Sequence, residues 1–274
     1  MIQFPHCKIN LGLSILEKRK DGFHNLETVF YPVGLKDIIE ITPLSKPTQE
    51  VAFSSSGIAV PGNDSDNLCV KAYQLLKNDF PHLPSIQMHL HKAIPMGAGL
   101  GGGSSDATAV IKILNKLFTL ELSEHALLQY TAQLGSDCPF FLHEQPCHAT
   151  GRGEILNPLS LSLKDYQIVL IHPAISISTA WAFQQIQPAS KEKSILDIIQ
   201  QPVSSWKQDL INDFESPILA AHTILQTIKT ELYEKGAIYA SMSGSGSSFF
   251  GIFEQSTTMP SFSFSAQMKV DFIS

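Results

Sequence analysis

Apolar residues alternate with polar ones, or gather in short runs, through the first fifty positions. Cys7–Leu16 and Thr28–Val33 are rich in apolar and β-branched residues and predict strands, with the polar stretch EKRKDGFHN between them. Asp37–Thr42 (DIIEIT) predicts a third strand. Residues 43–66 are full of Ser, Pro, Gly and Asn and predict loop, with one short strand at 50–53. The spacing then changes. Asn67–Lys77 carries Leu68, Ala72, Leu75 and Leu76 on one helical side, and Ile86–Leu90 (IQMHL) returns to strand alternation. A helix capped by Ser104 or Ser105 runs to Leu117 on the stripe Ala107, Val110, Ile111, Leu114 and Leu117. Another spans 123–134 and stops at Gly135.

The pattern restarts after Pro158, which places a domain boundary there, giving 1–158 and 159–274. Tyr166–His172 predicts an apolar strand, 184–202 a polar insertion and 213–235 a helix. Residues 237–242 and 248–253 predict two strands joined by a Gly/Ser turn. The last twenty residues, rich in Ser and Phe, have no clear period.

Composition narrows the classes of function. With 43% hydrophobic and 16% charged residues over 274 positions, the chain reads as globular. A formal net charge of −6 argues against a nucleic-acid binder, which carries a basic face. No apolar run approaches the roughly 20 residues that cross a bilayer, so no membrane partner is expected. Cys7, Cys69, Cys138 and Cys147 are scattered singly, and the start has no cationic region ahead of its apolar stretch. Both features predict a cytoplasmic protein without disulfides.

The chemistry gathers at PMGAGLGGGSS: Pro95, Met96, Gly97, Ala98, Gly99, Leu100, Gly101, Gly102, Gly103, Ser104 and Ser105. A segment with so few side chains lets backbone N–H groups approach an anion closely. It lies between a strand and a helix, whose first N–H groups lack internal partners and whose dipole favours negative charge. The expected ligand is a phosphate chain. No lysine follows the glycines, so this is not a Walker A loop, and no acidic residue sits where a dinucleotide fingerprint needs one. The hydroxyls of Ser104 and Ser105 remain to contact phosphate or Mg²⁺.

This loop resembles the phosphate-loop signature of the GHMP kinase superfamily. Lys8-Ile9-Asn10-Leu11, Asp21-Gly22-Phe23-His24, Gly135-Ser136-Asp137-Cys138-Pro139, Gly151-Arg152-Gly153-Glu154 and Ser243-Gly244-Ser245-Gly246-Ser247 follow in order. Together they are similar to the branch that phosphorylates 4-diphosphocytidyl-2-C-methyl-D-erythritol in the non-mevalonate isoprenoid pathway. The resemblance runs from about residue 7 to residue 253. It implies an α+β, two-domain GHMP kinase fold with the active site in the inter-domain cleft, and an N-terminal domain that binds ATP. It also implies ATP and Mg²⁺ as cofactors, and a small-molecule cytidine diphosphate substrate taken by a monomer or weak homodimer. Rival readings are a homoserine- or mevalonate-type kinase and a non-catalytic nucleotide-binding member.

Carried over residue by residue, the resemblance makes Asp137 the base for the C2 hydroxyl and Lys8 its charge partner. Asn10, His24 and Thr179 fall among the substrate contacts, and Phe23 and Phe183 on the two faces of the cytosine. The usual residue at Phe23 is Tyr, so stacking survives but a hydroxyl contact is lost. Asn67 and Lys92 fall near the adenine. By residue type alone, Asp137 is a helix N-cap and Phe23 a loop anchor. Asp106 either helps position Mg²⁺ or favours the helix N-terminus electrostatically. His89 and His91 share a strand face but lack a third ligand, so they read as ordinary strand residues, as does His172.

Overall fold

The computed structural model describes residues 1–45, 49–258, 260–263 and 269–273. Its strands are β1 (Ile2–Gln3), β2 (His6–Lys18), β3 (His24–Lys36), β4 (Ile38–Pro43), β5 (Val51–Gly57), β6 (Ile86–Lys92), β7 (Cys147–Thr150), β8 (Ile155–Pro158), β9 (Tyr166–His172), β10 (Tyr239–Met242), β11 (Phe249–Glu254) and β12 (Lys269–Ile273). Its α-helices are α1 (Leu68–Asp79), α2 (Gly102–Leu117), α3 (Glu124–Leu134), α4 (Thr179–Gln184), α5 (Ile195–Ile199), α6 (Trp206–Asp209), α7 (Glu215–Ala221) and α8 (Thr223–Glu234). The chain is therefore α+β, and its residues gather into two compact units through which it passes more than once.

One unit holds Met1–Cys7, Leu35–Met96 and Gly101–Glu144. Its sheet has the order β1-β4-β6-β5, with β5 parallel to β6 and the other pairs antiparallel. Alternation decides which face is buried: Ile39 and Ile41 on β4, and Ile86, Met88 and Leu90 on β6, point into a core shared with α1 and α2. Helix α2 is buried on nearly every side, including Ser105, Asp106 and Thr108. On the sheet's other face, Ser54 and Ser56 of β5 bond the rings of His89 and His91. No group of three potential metal-ligating side chains occurs among the described residues.

The other unit holds Lys8–Gly34, Gly97–Leu100 and the chain from Gln145 onward. It contains the sheet β2-β3-β7-β8 and the antiparallel sheet β10-β11-β9-β12. Val169 and Ile171 of β9, Phe249 and Phe253 of β11, and Leu225, Ile228 and Leu232 of α8 form its core. Among the described residues, no helix is long and apolar enough to cross a membrane.

Three expectations need correction. Helix α2 starts at Gly102, with Gly101 in the left-handed region (φ 69°) as its cap, so Ser104 and Ser105 lie inside the first turn rather than capping it. The predicted helix over 213–235 is two helices, broken at His222 (φ −131°, ψ 79°). The apolar spacing Ile218, Leu225, Ile228, Leu232 runs straight through that break, so periodicity alone does not mark it. The polar insertion contains α5, whose Ile195, Ile198 and Ile199 are buried.

Helix α5 is short enough to depend on its cap. The Ser194 hydroxyl accepts the N–H of Leu196, Asp197 returns the bond in a capping box, and Ser194 Oγ also donates to Glu27 at 2.9 Å. Replacing Ser194 by Ala is expected to cost about 1 kcal/mol, the usual worth of a cap. The midpoint of urea unfolding against the parent protein reads this directly.

Candidate active site

The glycine loop divides between the two units: Gly97–Leu100 belong with one and the flanking residues with the other. Its two non-glycine positions have a structural reason. Ala98 and Leu100 are buried, at 2% and 1% exposure, and anchor the loop from within. Helix α2 begins without any side-chain cap, so no serine or aspartate side chain at its cap position competes for the first N–H groups. A side-chain-free turn ahead of an uncapped, well-buried helix leaves N–H groups that can bind an anion.

Beside that helix start lies a pocket of about 130 Å³, lined by Val60, Pro61, Asp66, Asn67, Leu68, Cys69, Leu90, Lys92, Met96, Gly103 and Asp106. It is apolar along most of its wall, with Asp66, Asn67, Lys92 and Asp106 as its polar side chains. Asn67 caps α1, its Oδ1 accepting Cys69 N–H at 2.8 Å. Lys92 is buried and bonded to Asp37 and, at 2.8 Å, to Asp106. Asp37 in turn accepts the N–H groups of Ala93 (2.5 Å) and Ile94 (2.8 Å). The Lys92 ammonium also fills the space over Gly102, where an added Cβ would lie 2.9 Å from Nζ. The strand end is thus pinned to α2 by charge.

Burial opposes ionisation of both kinds of group here. It pushes the Asp106 carboxyl up to about 7, an effect Lys92 partly offsets and Asp37 reinforces. For Lys92 burial pulls the other way, but two carboxylates outweigh it and raise its pKa. Among the described residues, Asp106 Oδ1 has no hydrogen-bond partner, and it is shut off from solvent. What the structure shows of Asp106 is a buried ion pair with Lys92.

The same unit carries Asp137. It precedes a 3₁₀ turn (Cys138–Leu142), but its side chain makes no capping bond, so the role expected from residue type is not the one it performs. Helix α2 holds this segment: Thr108 Oγ1 donates to Cys138 O at 2.9 Å. Gly135 lies against Cys138 and Ser104, where a Cβ would come within 3.9 Å of the serine hydroxyl.

In the other unit, Lys8 and Asn10 stand on β2, both buried. Lys8 Nζ donates to Asn10 Oδ1 at 2.7 Å and to Gly99 O at 3.1 Å, and it lies 4.9 Å from the Phe30 ring centre. Asn10 Nδ2 donates to Thr28 Oγ1 at 3.0 Å. The second glycine-rich turn meets the first here, through Ser243 Oγ to Gly99 O (2.8 Å) and Ser248 N to Ala98 O (3.2 Å). A Cβ on Gly99, which has φ 77°, would lie 1.9 Å from Ser243 O, so the approach is possible for glycine only. Thr179, exposed at the start of α4, pairs its hydroxyl with that of Ser245 at 3.0 Å.

The aromatic residues are also in this unit. His24 stacks on Phe183, ring centres 4.9 Å apart and planes 17° from parallel, and Phe214 meets the Phe183 edge. Burial, with Lys18 adding repulsion, lowers the His24 pKa from its ordinary 6.5, so the imidazole is neutral at pH 7. Phe23 is half exposed and lies under the Arg152 guanidinium, 4.8 Å from the ring centre. The structure thus brings His24 to Phe183 and Arg152 to Phe23. Arg152 lies in a quoted motif, but spacing alone gives it no partner. Asn212 and Asp37, both fully buried, carry no local signal at all.

Comparison with known proteins gives two family models: GHMP kinases N terminal domain over residues 67–145 and GHMP kinases C terminal over 199–260. The chain is 53% identical over 260 residues to a 4-diphosphocytidyl-2-C-methyl-D-erythritol kinase of Bacteroides thetaiotaomicron, covering 95% of this chain and 94% of that protein. It is 45% identical to the protein of that name from Parabacteroides distasonis, covering 94% and 93%. A crystal structure of a 4-(cytidine 5'-diphospho)-2C-methyl-D-erythritol kinase matches with a TM-score of 0.80 at 30% identity, over 92% of this chain and 90% of that one. The mevalonate kinase of Methanococcus jannaschii shares the fold, with a TM-score of 0.70 at 13% identity and coverage of 100% and 97%.

The raised Asp106 pKa carries a sign. A carboxyl that ionises at about 7 when folded, against 3.8 when unfolded, makes the folded state progressively less favoured as pH climbs between those values. Replacing Asp106 by Asn removes that term. The unfolding free energy of Asp106→Asn relative to the parent is therefore expected to improve from pH 5 to pH 8, as read by urea titrations at the two pH values.

Proposed function

The chain belongs to the 4-diphosphocytidyl-2-C-methyl-D-erythritol kinase family of the GHMP kinases, and on that premise we propose that it transfers the γ-phosphoryl group of ATP to the C2 hydroxyl of 4-diphosphocytidyl-2-C-methyl-D-erythritol, a step of isoprenoid precursor synthesis. The observation that carries the reading is the uncapped start of α2 beside the Asn67–Lys92 pocket. Orphan N–H groups next to a mostly apolar pocket suit a nucleotide, phosphates toward the helix and base in the pocket.

In this reading Pro95–Ser105 cradles the ATP phosphates, and Asn67 and Lys92 border the adenosine. Asp37 and Asp106 hold Lys92 so firmly that its charge is largely spent within the protein; its part is to fix the loop's base rather than to grip phosphate. The division near residue 158 is kept as a functional one, with family models matching on either side of it. Ser104 and Ser105 offer hard oxygen donors. They suit Mg²⁺, which is commonly held by one or two protein oxygens together with phosphate and water. When bound, the metal neutralises charge on the phosphates.

Asp137 takes the proton of the C2 hydroxyl as its oxygen attacks the γ-phosphorus and the bond to the β-phosphate oxygen breaks. Lys8 offsets the charge spread over the moving group. Phosphoryl transfer needs little covalent help from the protein, so positioning and charge dominate. Asn10 orients the substrate beside Lys8, and Thr179 contacts it near the second glycine turn. Cytosine is held by Phe183 and Phe23, which stack, and by neutral His24, which hydrogen-bonds the base edge. His24 already covers one face of Phe183, and Arg152 one face of Phe23.

An ADP-release assay with 4-diphosphocytidyl-2-C-methyl-D-erythritol, homoserine and mevalonate tests the substrate, with turnover expected for the first alone. Turnover of only another acceptor would overturn the substrate and leave the kinase standing. Asp137→Ala is expected to lower kcat by several orders of magnitude in a folded protein, and near-parent turnover would remove Asp137 from the reaction. Phe183→Ala is expected to raise KM for the cytidine substrate about tenfold or more, since stacking is worth roughly 1–3 kcal/mol per base.

A further inference from the structure

Asn212 belongs to no motif that bears on phosphate or cytidine, yet every polar group of its side chain is committed. It is fully buried, in a short segment that pairs with Leu13 of β2 through Leu13 N to Ile211 O (3.0 Å) and Asp213 N to Leu13 O (2.8 Å). Its Nδ2 donates to the carbonyls of Met242 and Gly244, both at 2.8 Å, and its Oδ1 accepts Phe214 N–H at 3.0 Å. Two converging carbonyls demand a group with two N–H donors, which fixes both the amide's orientation and the residue type. An aspartate of the same shape would set a carboxylate against two carbonyl oxygens.

The two carbonyls it grips lie on either side of Ser243. That serine donates to Gly99 O at 2.8 Å and accepts Asn10 N–H at 3.2 Å. Gly99 O is also an acceptor for Lys8 Nζ, and Asn10 Oδ1 is another. One buried amide therefore sits at the root of a chain of bonds ending on the ammonium group and on the tip of the phosphate loop.

We propose that Asn212 is a positioning residue for phosphoryl transfer: by clamping the carbonyls of Met242 and Gly244 it fixes Ser243, and through Gly99 and Asn10 it sets where Lys8 holds its charge. The inference rests on the role of Lys8 given above. It predicts an effect on kcat, because a displaced ammonium and loop tip cost transition-state stabilisation more than cytidine binding.

The test compares Asn212→Ala, Ser243→Ala, Ser243→Thr, Lys8→Met and the double variant Lys8→Met/Asn212→Ala, assayed with whichever acceptor the parent phosphorylates. Asn212→Ala and Ser243→Ala are expected to lower kcat roughly 10- to 100-fold, the scale of a misplacement of about 1 Å, with KM for the acceptor within about twofold. Ser243→Thr, which keeps the hydroxyl, is expected to restore most of the rate. The double variant is expected to be little slower than Lys8→Met alone, because the two act through one chain of bonds. Parent-like kcat in folded Asn212→Ala, or effects of Lys8→Met and Asn212→Ala that multiply, would overturn the proposal. If Asn212→Ala does not fold, Ser243→Ala decides it alone, since parent-like kcat there breaks the chain. A parent that phosphorylates no acceptor would sink the function proposed above. The clamp is then read by hydrogen exchange over residues 97–100, expected to quicken in Ser243→Ala and recover in Ser243→Thr; unchanged exchange overturns the clamp.

Discussion

A single carbonyl oxygen, that of Gly99, is the point on which the candidate residues of the second unit depend. It receives the Lys8 ammonium at 3.1 Å and the Ser243 hydroxyl at 2.8 Å. Two glycine-rich turns, far apart in sequence, meet there, and no side chain larger than hydrogen fits between Gly99 and Ser243 O. Close packing of this kind depends on the missing Cβ of Gly99 and on the hydroxyl of Ser243. Asn212, Asn10 and Thr28 are the surrounding bonds that keep the meeting in register.

The first unit solves a related problem with charge. A lysine, two aspartates and two backbone N–H groups lie together, the three side chains buried. Such a group is a weak source of net stability, because taking three charges out of water costs nearly what their attraction returns. Its value is geometric, tying the end of β6 to α2 at residues that border the pocket. The unsatisfied Oδ1 of Asp106 shows that the arrangement was not driven to its most comfortable state.

Much of the fold was legible in the sequence. Alternation marks β4 and β6, apolar runs mark β2 and β9, which are buried on both faces, and helical spacing marks α1 and α2, because in each the buried set carries the pattern. Where that link fails, so does the reading. Strands β7 and β8 have four residues each, too few to show a period, and α5 has five, hidden among polar neighbours. The start of α2 was misplaced because a glycine in the left-handed region, not a serine, ends the loop. Of the site, the glycine turns and the motifs containing Lys8 and Asp137 are visible as local patterns. Asp37 and Asn212 are not: each is an ordinary polar residue in its own segment, and only long-range contact gives it work.

The bareness of the phosphate loop also bears on inhibition. From Gly97 to Gly103 the only side chains are those of Ala98 and Leu100, and both point inward. A compound that binds by accepting hydrogen bonds from the loop's N–H groups meets no side chain that a mutation could alter to exclude it. Adding one at Gly99 strikes Ser243, and adding one at Gly102 strikes Lys92 and Ile94. At those two positions the chain can escape such a ligand only by disturbing contacts on which its own site is built.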